Sequence, residues 1–494
     1  MKKPTSSLLL IFITSISFFT NAQGQTIDQV IKPKESLAHF RFLASDELKG
    51  RDALRSEIDI AAKYIANQFW KYGAKELSNA NGYFQPIPFR LSQPPQSALI
   101  QLDTSLLKHG DNLLMMDGGS LKGKFELKIA GYGLEENLKN IDLNGKILVT
   151  RVGAPGKTNP AEILELGRKK QQWAKGKGAI GLIEMYHLPN TPWGLLTNYL
   201  NKPRLTIAES FDQPSSIPYF WVKDLDGKLM HFIDQNKSVK AKISIESKGN
   251  QLIKGRNVIA KIEGTDAQLK NEFVMLSAHF DHLGVGRVDA EGDSIYNGAR
   301  DNAVGTVALI NAAQYFAQNP PKRSVLLCAW TAEEKGLLGS AYFAENPLIP
   351  LDQIIYNLNI DNGGYNNTEI ITVVGLGRST ADPLIKEAIN HYGLKTIPDP
   401  SPEQGLYDRS DNVNFAKKGI PAPTFSLGFT AFDEEIMKYY HQPADEVDSM
   451  DLEYVMKYWK SYLLTAQKIA NMKEQPFWLP GDKYEAAGKS LYGY

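Results

Sequence analysis

Five stretches of this chain hold residue types that bind metals and move protons. The apolar run 273–278 leads into His279-Phe280-Asp281-His282. The run 324–330 leads into Thr331-Ala332-Glu333-Glu334, and the run 354–360 into Asp361. Asp301 stands just before a helical stretch, and His441 comes late in Tyr440-His441-Gln442-Pro443-Ala444-Asp445. Carboxylates gathered in one partly buried cleft are costly unless a cation compensates, and no lysine or arginine adjoins most of these. Two imidazoles with several carboxylates suit zinc, which takes nitrogen and oxygen ligands in low coordination. Five residues fill six ligand roles if one carboxylate bridges two ions, and metals roughly 3.5–4 Å apart recur in hydrolases. Neighbouring Glu333 and Glu334 cannot point the same way from an extended strand end, so one can reach a metal while the other faces the reacting water.

Taken singly, each feature is ordinary. His-x-Asp is common on surfaces, paired glutamates often start a solvated helix, an aspartate after a strand is often a helix cap, and a lone histidine is often hydrogen-bonded filler. Their joint order carries the reading.

The elements that position them follow from periodicity. From 257 to about 472, short apolar runs alternate with helical patterns such as 304–318, which Pro320-Pro321 stops. Near-continuous apolar runs read as strands buried on both faces. The result is an α/β layered domain with a mostly parallel sheet, where ligands bind beyond the carboxyl ends of the strands. Upstream, apolar residues at helical spacing include Ala38, Phe42, Leu43, Ile58, Ala62, Ile65 and Phe69, with a turn at Gly50. Residues 92–97 are only Ser, Gln and Pro, which suggests a boundary. Residues 146–150, 179–185 and 217–222 read as strands and 160–175 as a helix, in a segment with no cluster of catalytic residues.

Composition narrows the class. The 494 residues include 55 basic and 55 acidic side chains, and 43% are hydrophobic. The balance gives no footing for nucleic acid, and the single cysteine, Cys328, rules out an intrachain disulfide or a cysteine-based zinc site. Lys2 and Lys3, an apolar stretch 8–19 and Thr20-Asn21-Ala22 read as a secretory signal peptide cleaved near Ala22. The stretch is short for the roughly 20 residues of a membrane span, so the mature chain is expected to be exported, periplasmic or secreted, without a stable membrane anchor.

The blocks His279-Phe280-Asp281-His282-Leu283-Gly284, Gly298-Ala299-Arg300-Asp301-Asn302-Ala303-Val304-Gly305, Glu333 to Ser340, Asn359-Ile360-Asp361 and Tyr440 to Asp445 resemble the co-catalytic di-zinc aminopeptidases, and they occur in that family's order. Residues 42–51 resemble the family's N-terminal segment. Ala130-Gly131-Tyr132-Gly133, Asn144-Gly145-Lys146 and 177–181 resemble a protease-associated domain, more loosely.

The resemblance implies a zinc-exopeptidase (phosphorylase/hydrolase-like) domain with a mixed, mostly parallel central sheet between helices, built from 27–95 and 252–475. It also implies a β-rich protease-associated insert at 120–251, leaving a tail at 476–494. It implies two zinc ions per chain: His279 and Asp361 on one, Glu334 and His441 on the other, Asp301 bridging. Asp281 would orient His279, Glu333 would be the general base, and Tyr440 or Tyr407 would donate to the developing oxyanion. The expected activity is removal of the N-terminal residue from peptides with a free N-terminus. Asn362 and Asn412 depart from the family's usual Met and His, which bears on side-chain preference. The alternatives are a glutaminyl cyclase, a carboxypeptidase or dipeptidase on the same fold using Arg300 and Arg409, and a binding protein that has lost its metals.

Overall fold

The computed structural model describes residues 25–157, 159–188, 192–208, 216–236 and 239–494, so the expected leader at 1–22 lies outside the described residues. Among them, no helix is long and apolar enough to cross a membrane. The larger sheet has nine strands: β1 Phe84–Ser92, β2 Arg204–Ile207, β3 Asn250–Ile262, β4 Phe273–His279, β5 Ser324–Trp330, β6 Ile354–Ile360, β7 Ile370–Val374, β8 Lys395–Pro398 and β9 Thr424–Leu427. Their order is β8-β7-β9-β6-β4-β5-β3-β1-β2. The helices that cover it include α1 Pro33–Leu43, α2 Glu57–Tyr72, α3 Val304–Gln318, α4 Leu338–Glu345, α5 Asp382–His391 and α6 Leu452–Ala470.

All residues of β4, β5 and β6 are buried, as their unbroken apolar runs require. Alternation then sorts them. Val325, Leu327 and Ala329 face the core shared with α1, α2, α3 and α6, while Leu326, Cys328 and Trp330 face Phe343, Phe415 and Trp478 on the other side. The sheet is less parallel than expected. β9, β6, β4 and β5 run parallel to their neighbours in that series, and β8 is parallel to β7. The β7–β9 pair and the flank β5-β3-β1-β2 are antiparallel. The flank forms because β1 and β3 enclose the whole second unit and return beside each other.

Among the described residues, that second unit carries an eight-stranded sheet running from Ser97–Leu102 to Lys240–Glu246. It includes Ser105–Lys108 and Leu113–Asp117, upstream of the expected start at 120, and the Ser/Gln/Pro stretch is where the chain passes from β1 into it. Its central strands are parallel, and helix Pro160–Gly176 packs against Gly181–Tyr186, so it is α/β rather than only β-rich. Within its span, β2 leaves it to pair with β1. The tail is also ordered onto the larger domain. Trp478 Nε1 donates to the Gly419 carbonyl at 2.8 Å, and Asp482 pairs with Arg378 at 2.7 and 2.9 Å.

His39 of α1 is held between the Tyr64 and Tyr72 hydroxyls, at 2.8 and 3.0 Å. Burial, with help from nearby Lys71, pulls its imidazole down to about 4. A histidine whose folded-state pKa lies below its unfolded value costs stability as pH falls from about 6.5 toward 4, because the unfolded chain takes the proton first. Between pH 7.5 and 5, His39 should therefore remove about 2 kcal/mol of stability. His39→Gln should flatten that part of the slope in urea unfolding. An unchanged slope would show that His39 does not stay neutral in the fold.

Candidate metal centre

The site lies beyond the carboxyl ends of β4, β5 and β6. His279 is the last residue of β4, Glu333 and Glu334 follow β5, and Asp361 follows β6. Asp301 sits in an irregular segment, Ala299–Ala303, ahead of α3, and its peptide bond to Asn302 is cis. His441 arrives from a late turn. His441 at φ 56° and Ala332 at φ 57°, next to Glu333, occupy the left-handed region that non-glycine residues seldom adopt.

Two groups of ligand atoms share Asp301. In the first, His279 Nε2 stands 3.2 Å from Asp301 Oδ1 and 3.3 Å from Asp361 Oδ1. In the second, His282 Nδ1 is 2.7 Å from Glu334 Oε1 and 3.9 Å from Asp301 Oδ2. Each set offers three ligand atoms within 4.8 Å of one another. His441 Nε2 joins the second set, 3.2 Å from Asp301 Oδ2 and 3.6 Å from Glu334 Oε2. Asp301 thus turns one oxygen to each group, and the five residues named as ligands from sequence meet in one place.

His282 is the residue the sequence reading left without a role. It is fully buried, and its Nε2 has no hydrogen-bond partner among the described residues. Gly298, at φ 57°, makes room for its ring, since a Cβ there would come within 2.6 Å of it. The sequence carries its signal as the second histidine of His279-x-x-His282, but spacing alone does not turn both rings into one cleft.

Asp281 acts differently from expectation. Its carboxylate is 3.9 Å from His279 Nδ1, and that nitrogen donates instead to the Asp281 carbonyl at 3.1 Å. The carboxylate accepts the backbone N–H groups of Glu333 and Glu334 at 3.0 and 3.4 Å. It therefore fixes the glutamate pair, because the turn after β5 presents unpaired amides that an anion satisfies. Burial pushes Asp281 up to about 6. Asp445 has a similar unforeseen duty. It accepts from the backbone of Arg300 at 3.0 Å and of Asp301 at 3.2 Å, so the turn that carries His441 also holds the segment that carries Asp301.

The charges around the site call for a cation. Burial opposes protonation of His279 and His441, yet the surrounding carboxylates, Glu333 and Asp361 around His279 and Asp301 around His441, lift both above the usual imidazole range. Asp301 is held far below the carboxylate range, despite burial, by His282, His279 and His441. Nitrogen and oxygen donors in two sets that share one carboxylate fit zinc.

These groups open on a cavity of about 440 Å³. Glu333 and Tyr440 line it, the latter stacked on His441 with ring centroids 4.0 Å apart. Val374, Leu406, Phe429 and Phe432 form an apolar wall, and among the described residues Arg409 is the one guanidinium or ammonium in the lining. Tyr407 is not brought there. Its ring lies under Arg378, 4.0 Å from the guanidinium, and close to Gly375, which turns it away from the cleft. Arg300 is also spent elsewhere, donating to Asp445 at 3.0 Å and lying 3.7 Å over the Tyr439 ring. Asn362 lines the cleft, whereas Asn412 donates to the Tyr407 and Ala422 carbonyls behind it.

Known proteins share parts of this chain. Leucine aminopeptidase 2 of Arthroderma otae is 25% identical over 308 residues, covering 58% of this chain and 57% of its own length. Aminopeptidase YwaD of Bacillus subtilis is 23% identical over 366 residues, covering 69% and 75%. A vacuolar membrane protease of Kluyveromyces lactis is 32% identical over 108 residues, only 10% of that protein. The chain thus spans little more than half of the fungal aminopeptidase. The aminopeptidase from Aneurinibacillus sp. strain AM-1 shares the fold, with a TM-score of 0.52 and 19% identity over 92% of this chain and 98% of that one. The stretch 257–463, which contains every residue of both ligand groups, matches the model of peptidase family M28, and the chain carries a domain of that family.

Proposed function

We propose that the chain is an exported zinc aminopeptidase that hydrolyses the first peptide bond of peptides with a free N-terminus and an apolar first side chain. The observation that carries this reading is the pair of ligand groups sharing Asp301 beside Glu333, a carboxylate outside both groups. His279, Asp301 and Asp361 would hold one ion. Asp301, Glu334 and His441 would hold the other, with fully buried His282 orienting Glu334 through its 2.7 Å contact. Zinc, when bound, supplies Lewis-acid polarisation of the scissile carbonyl and a more acidic water.

The chain's own residues supply the rest. Glu333 takes the proton of the attacking water and passes it to the leaving amine. In the metal-free cleft, burial raises its carboxyl well above the usual range. Tyr440 donates to the oxyanion; burial raises its hydroxyl, which keeps the proton it must donate. The cleft carboxylates receive the substrate's ammonium, and the apolar wall takes its side chain. Among the described residues lining the cleft, one exposed arginine is thin support for a carboxypeptidase, which needs a cluster to grip a terminal carboxylate. The second unit, read as a protease-associated domain from its Ala130-Gly131-Tyr132-Gly133 and Asn144-Gly145-Lys146 segments, carries none of the ligands.

A panel of leucyl peptides tests this. Free-amine peptides should be shortened by one residue, N-acetylated ones should be inert, and amidating the C-terminus should change little. Cleavage of N-acetylated peptides from the C-terminal end would overturn the reading. Cyclisation of a glutaminyl peptide with release of ammonia, in place of hydrolysis, would favour the cyclase instead.

A further inference from the structure

We propose that Arg51 is a positioning residue for the metal centre, tying the His279–His282 and 297–301 segments together so that their ligands stand assembled before metal arrives. The proposal rests on the metal-site reading above. Arg51 is 1% exposed. Its Nε donates to the Phe280 carbonyl at 2.8 Å, between the two histidines of that segment. Nη1 donates to the carbonyls of Asn297, at 2.6 Å, and of Leu43. Nη2 donates to the Gly298 carbonyl at 3.0 Å, three residues before Asp301. In return, the Arg51 carbonyl accepts the His282 N–H at 3.3 Å. Next to it, Asp52 pairs at 3.1 Å with Lys335, the neighbour of Glu334. One short stretch therefore touches three of the segments that carry ligands.

The chemistry suits a guanidinium and no other side chain. Irregular segments leave buried carbonyls that must find donors, and a planar fork with five N–H groups can serve several at fixed angles, whereas an ammonium is a point donor. Getting it there takes an unusual backbone. Lys49, Gly50 and Arg51 are all left-handed, at φ 44°, 67° and 50°. Gly50 also lets the strap close on the site, since a Cβ would lie 2.5 Å from the Tyr296 carbonyl and 2.6 Å from that of Gly284. Such strain persists only where the surroundings hold it. Burial lowers the guanidinium to about 10, and the nearby charges of Asp281, Asp301, Asp445 and Glu334 act to keep it protonated.

Hydrogen exchange on the metal-free wild-type protein is the first test. Amides of 280–282 and 297–301 should be protected nearly as well as those of β4. The proposal fails if they exchange freely and become protected only when zinc is added. Arg51→Lys is the second test. It should raise exchange in those two segments selectively and weaken zinc binding, read by competition with a chromophoric chelator, by roughly 10–100-fold, the usual cost of losing an outer partner of a metal site. It should lower kcat more than it raises KM. Ile65→Val, a core change in α2, serves as a control that lowers stability without touching the strap. Wild-type zinc affinity in folded Arg51→Lys, or equal zinc loss in the control, would overturn the proposal. Zinc affinity and exchange read Arg51, while peptide turnover reads the function, so either can fail alone.

Discussion

Glu333→Gln is expected to lower turnover by a factor on the order of 10²–10⁴, the usual worth of acid–base catalysis, while zinc content stays at the wild-type level. Glutamine keeps the size and much of the hydrogen bonding of glutamate, so the cleft wall is preserved, but it cannot accept the water's proton. Glu333 lies outside both ligand groups, whereas Glu334 belongs to one. Asp281 accepts both backbone amides, at 3.0 and 3.4 Å, which fixes the backbone that carries the two side chains. Glu334→Gln should accordingly lose metal and activity together. Elemental analysis and turnover measured on the same two preparations decide the matter. Zinc lost from the Glu333 variant and kept in the Glu334 variant would reverse the roles.

Asp301→Asn should release more metal than substitution of any other ligand. Its Oδ1 stands 3.2 Å from His279 Nε2 in one group and its Oδ2 3.2 Å from His441 Nε2 in the other, so one substitution removes an anionic donor from both. The loss should exceed the roughly 10–100-fold typical of an outer partner, and zinc should fall below one ion per chain after dialysis. Asp361→Asn, which touches one group, should keep the second ion. Full occupancy in Asp301→Asn would exclude the bridging role. A fold measured by circular dichroism should survive in both variants, because the core beneath the site is built from apolar residues of β4, β5 and β6.

The sequence by itself determined which side chains would stand at the strand ends. Strands buried on both faces must be continuous apolar runs, so β4, β5 and β6 were legible with their ends, and topology places those ends in one cleft. His279, Glu333, Glu334 and Asp361 follow directly from that rule, and the helix after Asp301 was legible from its period and its stopping prolines. The antiparallel flank was not, because it depends on where the chain returns after a long excursion into the second sheet. Nor were the aims of particular side chains. His282 enters the second ligand group because Gly298 lets its ring approach; Asp281 turns to two amides rather than to His279; Tyr407 is held away by Arg378. Arg51 lies 229 and 246 residues from the carbonyls of Phe280 and Asn297 that it holds. Periodicity reports which face of an element is buried, but not which distant backbone group a side chain will meet. That is decided only when packing brings separate segments to within hydrogen-bond distance.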